Sequence, residues 1–181
     1  MIEFLAFVWK CIYFFAPAYF ANMAPVIFQK VPFLKYPIDF GKEIQGKRIL
    51  GDNKTFRGII LGTLLAVLVA FIQHMIYENG VGQQFALVDY SQWIFIGFML
   101  GFGALVGDLL KSMIKRRLSI QPGSRFFPFD QVDFVMGGLL FVSIVVPLSW
   151  SIIVTLLFVS VVLHIITNHI AYYTGIRNEK W

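Results

Sequence analysis

Carboxylate, ammonium and hydroxyl groups recur at short spacings between residues 107 and 133, where an apolar segment ends. Asp108, Lys111, Ser112 and Lys115 follow one another at i, i+3, i+4 and i+7, so on a helix they share one face. A carboxylate at the end of an apolar helix costs about 3 kcal/mol when it has no partner, and ionisable groups in such places are functional candidates. This face therefore predicts a binding site.

Two further carboxylates, Asp130 and Asp133, are three residues apart and are expected to share a face of the next helix. With Asp108 they form a set of hard oxygen ligands that suits Mg²⁺ and leaves room for water and phosphate oxygens. The neighbouring basic side chains would take the remaining phosphate charge; they are Lys111, Lys115, Arg116 and Arg117. We therefore predict a Mg²⁺ site at Asp108, Asp130 and Asp133, beside a site for a polyphosphate.

A second polar segment, G-D-N-K-T-F-R-G at 51–58, precedes an apolar run. Two interpretations of it stay open. It could close over the same ligand, or it could be a polar helix entry with Thr55 or Asn53 as the cap. Residues 41–48 nearly match a phosphate-binding P-loop, but Arg48 replaces the required Ser or Thr and no strand-turn-helix pattern surrounds the segment, so we reject that interpretation.

A simpler role also stays open for several charged residues. Arg116, Arg117 and Arg125 could serve only to set the membrane topology and bind anionic headgroups, and Asp130 could cap a helix. Histidines in apolar segments are expected to be packed or hydrogen-bonded, as at His74 and His164. Asn168 and His169 are weaker candidates for lining a site.

The composition indicates the elements that must position these residues. The 181 residues are 58% hydrophobic and 14% charged, with a mean hydropathy of +0.74, which is typical of a membrane protein. A bilayer core of about 30 Å needs about 20 apolar residues per helix. Five such spans can be placed, at about 4–28, 58–77, 93–110, 133–150 and 152–173.

Features within the spans refine this prediction. The first contains Pro17 and Pro25 and is expected to be kinked, and P-L-S-W at 147–150 divides the last apolar stretch into a helical hairpin. Small residues at 97, 101, 103 and 107, and again at 58 and 62, predict close helix packing. We predict an all-α integral membrane protein with five transmembrane helices in a single domain, 1–181.

Basic residues predict the orientation. Fourteen of the fifteen Lys and Arg residues fall in the loops 29–57 and 111–132 or in the carboxyl-terminal tail at Arg177 and Lys180, whereas residues 78–92 contain none. Because cytoplasmic loops carry the excess of positive charge, both basic loops are predicted to be cytoplasmic. The amino terminus is then outside and the carboxyl terminus inside, and the predicted site lies where a polyphosphate can meet a lipid.

Several motifs resemble a known enzyme family. S-M-I-K-R at 112–116 resembles the opening of the integral-membrane CDP-diacylglycerol synthase signature, and F-P at 127–128 with D-Q-V-D at 130–133 resembles its later elements. That family has Lys-Asp where this chain has Gln121 and Pro122, has Arg in place of Gln131, and has a His-Gly-Gly stretch that is missing here. A lysine and a metal-ligand candidate of that family therefore have no counterpart in this chain.

At the positions where it differs from that signature, the chain resembles the archaeal branch of the family, the CDP-archaeol synthases. The matching motifs are N-K-T-x-R-G at 53–58, G-D-L-x-K-S-x-x-K-R-R at 107–117, P-G at 122–123 and P-F-D-Q-x-D at 128–133. They cover both basic loops and the adjoining spans.

The resemblance implies a CTP-dependent cytidylyltransferase that acts on 2,3-bis-O-(geranylgeranyl)-sn-glycerol 1-phosphate, requires Mg²⁺ and releases pyrophosphate. Its expected partners are CTP, an isoprenoid ether-lipid phosphate and the lipid bilayer, with no nucleic acid; the oligomeric state stays open. The implied catalytic residues are Asp108, Lys111, Ser112, Lys115, Arg116, Asp130 and Asp133, of which the three aspartates are the metal ligands. The implied CTP and phosphate ligands are Asn53, Lys54, Thr55, Arg57, Arg117 and Gly123.

Other functions make different predictions. A phosphatidate cytidylyltransferase would share the motifs but differ in its lipid substrate. A transporter would place ionisable residues at mid-membrane on broken helices, whereas the charges here lie at one face. A scaffold that binds anionic lipids would not need Asp108, Asp130 and Asp133, and a CDP-alcohol phosphotransferase would need a D-G-x-x-A-R run that the chain lacks.

Overall fold

The computed structural model describes residues 2–121 and 124–175 and contains five α-helices within them. These are α1 (Ile2–Ile27), α2 (Phe56–Glu78), α3 (Trp93–Arg117), α4 (Phe129–Val142) and α5 (Trp150–Tyr173). An antiparallel hairpin of β1 (Glu43–Ile44) and β2 (Lys47–Arg48) lies between α1 and α2, and two 3₁₀ turns (Gln83–Phe85 and Tyr90–Gln92) precede α3. The predicted all-α membrane fold is confirmed, while the orientation of the termini stays a prediction.

Four of the described helices are long and apolar enough to cross a membrane, namely α1, α2, α3 and α5. The fourth expected span, 133–150, corresponds to the 14 residues of α4, which starts earlier and ends at Val142. At 1.5 Å per residue this helix is about 21 Å long, shorter than the hydrocarbon core. Pro147 lacks an N–H and disfavours helical geometry in the residue before it, so the chain continues through turns to α5.

Helix α1 runs unbroken through both of its prolines. Pro17 cannot donate a hydrogen bond to the carbonyl of Tyr13, one turn earlier. The buried amide of Gln73 on α2 supplies the missing donor, with Nε2 2.5 Å from the Tyr13 oxygen. A neighbouring helix thus satisfies a backbone group that lipid could not.

Helix α3 is the centre of the bundle, because its glycines let helices approach on two sides. A Cβ atom added at Gly101 would lie 2.3 Å from the Cβ of Ala66 on α2, and one added at Gly107 would lie 2.2 Å from the carbonyl oxygen of Asp133 on α4. A Cβ atom added at Gly137 of α4 would likewise lie 2.2 Å from the carbonyl oxygen of Gly103. The predicted close packing is confirmed, and it brings Asp108 and Asp133 to the same place.

The core is formed by side chains from four helices. Phe14 and Phe15 of α1, Leu100 of α3, Val135 of α4 and Leu156 of α5 are all fully buried in one cluster. Large apolar side chains such as Phe158 and Leu140 are instead mostly exposed. An apolar outer surface of this kind suits contact with lipid.

Candidate active site

A cavity of about 660 Å³ lies at the ends of α3 and α4, beside the segment that precedes α2. This volume is within the usual range of small-molecule sites, about 300–1,000 Å³. Most of the predicted site residues line it: Asn53, Lys54, Asp108, Lys111, Ser112, Lys115, Arg116, Asp130 and Asp133. Residues up to 80 positions apart in the sequence are therefore brought around one space.

Helix α3 presents the predicted stripe on one continuous face. The helix extends to Arg117, so Asp108, Lys111, Ser112 and Lys115 all lie on helical backbone and all line the cavity. Ser112 and Lys115 are buried. The charged groups are thus held at the edge of the apolar core, where partial exclusion of water strengthens their interactions with an anionic ligand.

The Lys111 ammonium lies at the centre of the three aspartates. Its Nζ is 3.2 Å from Asp108 Oδ1, 3.3 Å from Asp130 Oδ1 and 2.8 Å from Asp133 Oδ2. The other carboxylate oxygen of Asp108 forms an ion pair with Lys54. The carboxylates of α3 and α4 therefore converge on one point, and a cationic side chain of the protein occupies that point.

The three aspartates supply oxygen donors of the type that a divalent cation prefers, but the Lys111 ammonium lies at the point where they converge. Among residues 2–121 and 124–175, no group of three or more His, Cys, Asp or Glu side chains is arranged to hold an ion. Mg²⁺ is commonly held by one or two carboxylates together with water and substrate phosphates, which is a demand that Asp108, Asp130 and Asp133 can meet. The metal assignment stays a prediction.

Lys115 and Asp130 connect the segment before α4 to α3. Lys115 Nζ donates to the Ser124 carbonyl at 2.5 Å and lies 3.2 Å from Asp130 Oδ1. Asp130 Oδ2 also accepts the Phe126 N–H at 2.6 Å. Asp130 lies in the first turn of α4, where the helix dipole also favours a negative charge.

The buried carboxylate of Asp39 organises the loop that forms the opposite wall. It pairs with Arg48 at 2.7 Å and accepts the N–H groups of Leu50 at 2.9 Å and of Gly51 and Gly41 at 3.1 Å. Burial alone would raise the pKa of Asp39, but the Arg48 guanidinium and the three N–H groups hold that pKa well below its usual range. The segment that leads to Lys54 is therefore fixed by a charge inside the loop.

The hairpin of this loop is attached to the end of α3. Its turn residues Gln45 and Gly46 both have positive φ, at 55° and 70°, as a two-residue type I′ turn requires. Arg117 donates to the carbonyls of Ile44, Lys47 and Arg48 at 2.6–3.0 Å. These hydrogen bonds join the loop, which also carries Lys54, to the end of α3.

Three of the predicted phosphate ligands that the structure describes do not line this cavity. Thr55 caps α2 by accepting the Gly58 N–H at 3.3 Å, as one of the two interpretations expected, and borders only a small adjoining pocket. Arg57 donates to the carbonyls of Gln29 and Val31, and Arg117 holds the hairpin. Gly123 lies outside the described residues. A long basic side chain beside a folded loop can donate hydrogen bonds either to backbone carbonyls or to a ligand. The sequence alone does not distinguish these two roles.

Some lining residues were not predicted as ligands, although Asn168 was a weaker candidate for lining the site. Asn22 of α1 and His164 and Asn168 of α5 face the cavity from membrane-spanning helices, and Gln131 lines it from α4. His164 was expected to be packed, and His169, whose Nδ1 lies 2.8 Å from the Ile165 carbonyl, is not a lining residue. The available signal was the i, i+4 spacing of His164 and Asn168, which places two polar groups on one face of an apolar helix.

Comparisons with known proteins agree on one family. A family model described as CarS-like, CDP-archaeol synthase, matches residues 4–181. The chain is 36% identical over 178 residues to the CDP-archaeol synthase of Thermococcus kodakarensis, covering 98% of each protein. It is 36% identical over 175 residues to that of Methanocaldococcus jannaschii, covering 94% of this chain and 95% of the relative.

A solved structure also resembles this fold. It is described as an intramembrane enzyme for archaeal membrane lipids biosynthesis, with a TM-score of 0.66 and 29% sequence identity. The match covers 87% of this chain and 91% of that one.

Proposed function

The chain belongs to the CDP-archaeol synthase family, and we propose from this membership that its substrates are CTP and 2,3-bis-O-(geranylgeranyl)-sn-glycerol 1-phosphate. It is a CTP-dependent cytidylyltransferase of archaeal lipid synthesis. The products would be the CDP-lipid and pyrophosphate. The family resemblance inferred from the two basic loops is confirmed, whereas the identity of the lipid is part of the proposal.

The observation that supports the proposal is the composition of the cavity walls. Lys54, Lys111, Lys115 and Arg116 line the cavity, and their positive charges suit a triphosphate. The cavity is also lined by polar side chains on α1 and α5, two helices apolar enough to span a bilayer. A nucleotide from water and a phosphate carried by a membrane lipid could therefore enter the same space.

The reaction needs positioning more than proton transfer. An oxygen of the lipid phosphate attacks the α-phosphorus of CTP, a new P–O bond forms, and the bond from that phosphorus to the oxygen it shares with the β-phosphorus breaks. The electron pair leaves with pyrophosphate. Because the lipid phosphate is already an anionic nucleophile, no general base is required, and catalysis consists of bringing two anions together and stabilising the leaving group.

Residues of the cavity can meet these demands. Lys111, Lys115 and Arg116 would neutralise the phosphates, and the Ser112 hydroxyl would donate to a phosphate oxygen. A Mg²⁺ ion held by Asp108, Asp130 and Asp133 would supply further positive charge to the triphosphate when bound. Lys54, paired with Asp108, would hold the loop over the nucleotide.

The proposal is tested with the full chain purified in detergent. We expect labelled CTP, Mg²⁺ and the ether-lipid phosphate to yield CDP-lipid and pyrophosphate, with phosphatidate in a parallel reaction to identify the preferred lipid. Asp133→Asn is expected to slow the reaction by about 100-fold or more, since it removes a charge at the reacting groups. Glu43→Gln, an exposed carboxylate of the hairpin that does not line the cavity, is the matched control and is expected to keep the full rate.

Two results would contradict the proposal. One is that the folded protein makes no CDP-lipid from the ether-lipid phosphate and none from phosphatidate. The other is an Asp133→Asn variant that turns over as fast as the unaltered protein. Faster turnover of phosphatidate than of the ether lipid would instead support the phosphatidate cytidylyltransferase alternative.

A further inference from the structure

The inward face of α5 changes from apolar to polar as the helix approaches the cavity. This face is formed by residues spaced four apart, which are Leu156, Ser160, His164 and Asn168. Leu156 and Ser160 are fully buried, and Asn168 is only 9% exposed. Polar side chains inside a membrane are costly, and those that face a cavity are functional candidates. The polar part of this face therefore requires an explanation beyond packing.

A hydrogen bond between α1 and α5 marks where the polar part of this face begins. The hydroxyl groups of Tyr19 on α1 and Ser160 on α5 lie 2.7 Å apart. The next turn of each helix carries Asn22 and His164, at i+3 and i+4, and both residues line the cavity. Asn168 lines it one turn further along α5. Two membrane-spanning helices thus supply amide and imidazole groups to the cavity.

These groups differ in kind from those supplied by the other elements. Lysine and arginine side chains reach the cavity from α3 and from the loops before α2 and α4, and their charge suits a triphosphate. Among the described lining residues, α1 and α5 contribute neither lysine nor arginine. Amide and imidazole groups can donate single hydrogen bonds, and the oxygens of a glycerol phosphate can accept them. The cavity therefore has two chemically different parts.

The outer surfaces of the same two helices suit the apolar part of a lipid. Met23 and Val26 of α1 and Ile166 and Ile170 of α5 are all about half exposed or more. Large apolar side chains at the surface of membrane-spanning helices suit contact with hydrocarbon chains. A lipid whose phosphate enters the cavity beside α1 and α5 could therefore leave its chains at this apolar surface.

We propose that Asn22, His164 and Asn168 form the subsite for the headgroup of the lipid phosphate, where they donate hydrogen bonds to its glycerol and phosphate oxygens. The basic side chains of α3 and the loops then hold the nucleotide. This inference rests on the proposed function, because it assigns one part of that cavity to the lipid substrate. It separates the residues that determine the KM for the lipid from those that determine the KM for CTP.

Steady-state kinetics with each substrate varied in turn tests this separation in the full chain purified in detergent. His164→Leu and Asn168→Leu each remove hydrogen-bonding groups, and each is expected to raise the KM for the ether-lipid phosphate about tenfold. The KM for CTP is expected to change by less than about twofold. Thr167→Val is the matched control, because Thr167 donates to carbonyls of its own helix and does not line the cavity. It is expected to keep both constants.

Two kinetic results would overturn the inference, with thermal unfolding used to show that the variants fold. One is an unchanged KM for the lipid in both His164→Leu and Asn168→Leu. The other is a rise in the KM for CTP as large as that for the lipid, because these groups would then bind the nucleotide. Failure of the unaltered protein to make CDP-lipid would instead count against the proposed function.

A second measurement needs neither a variant nor turnover. An ether-lipid phosphate that carries a photoreactive diazirine next to its glycerol is bound to the unaltered protein without CTP, and the crosslinked residues are located by mass spectrometry. We expect crosslinks near Asn22 or within 164–168 that excess unlabelled lipid phosphate prevents. The same diazirine on a lipid alcohol without phosphate is the control for general contact with the bilayer. Competed crosslinks confined to other helices would overturn the inference, whether or not the protein makes CDP-lipid.

Discussion

Arg116 and Arg117 are neighbours in the chain, yet their guanidinium groups have different surroundings. Arg116 lines the cavity, and none of the described carboxylates forms an ion pair with it. Arg117 turns to the hairpin and donates to three carbonyls there. A charged donor that satisfies backbone carbonyls stabilises a loop, whereas one that faces a cavity is available to an anion.

We therefore expect two different phenotypes from the same substitution at these positions. Arg116→Gln should raise the KM for CTP by about tenfold with no change in limited proteolysis of the 28–55 loop. Arg117→Gln should lose charge-assisted hydrogen bonds worth roughly 1.5–3 kcal/mol each and make that loop sensitive to protease. Steady-state kinetics and proteolysis of both variants measure the difference, and a reversed pattern would contradict the division of roles.

Among the elements, α3 does the most to build the site, because it carries one half of the charged cluster and the glycines that admit the other half. Gly107 precedes Asp108 and meets the backbone of Asp133. The same contact that packs α4 onto α3 therefore determines how far apart two of the aspartates lie. The crossing of α3 and α4 therefore contributes both to the packing of the bundle and to the geometry of the site.

Gly107→Ala is expected to separate α3 from α4, since its Cβ would lie 2.2 Å from the Asp133 carbonyl oxygen. Overpacking of this kind costs typically about 1–3 kcal/mol, and the misplaced aspartate should lower the rate of CDP-lipid formation more than tenfold. Gly58→Ala is the control, because its Cβ would meet nothing closer than 3.5 Å and alanine favours a helix. Thermal unfolding and activity are compared, and equal behaviour of the two variants would contradict the importance of the crossing.

For the whole molecule, the distribution of basic residues predicts which face of the membrane the site occupies. Basic residues are abundant in the 28–57 and 110–132 regions and absent from residues 78–92. The hairpin loop, the cavity and the carboxyl end of α3 all lie together at the basic end. The excess of positive charge predicts that this end is cytoplasmic.

Single cysteines test this orientation. The native Cys11, which is buried, is replaced by Ala, and either Lys42→Cys or Gln84→Cys is added at an exposed position. We expect a membrane-impermeant thiol reagent to modify Gln84→Cys in intact cells and Lys42→Cys only after the cells are permeabilised. Modification of Lys42→Cys in intact cells would contradict the predicted topology.

The sequence by itself determined the helical membrane fold, the residue types of the site and the stripe from Asp108 to Lys115. These features follow from local rules: apolar length sets a span, and helical spacing puts i, i+3, i+4 and i+7 on one face. The family followed from motifs that lie in two continuous stretches of chain.

The tertiary structure decided which groups meet. The positions at which α3, α4 and α5 cross decide three features of the site. The Lys111 ammonium lies among three aspartates, and Arg117 donates hydrogen bonds to the hairpin. His164 and Asn168 line the cavity. Those crossings are set by contacts such as Gly107 against Asp133 and by the buried Asp39 carboxylate. Distances between residues far apart in the chain arise from packing, and a local pattern holds no information about them.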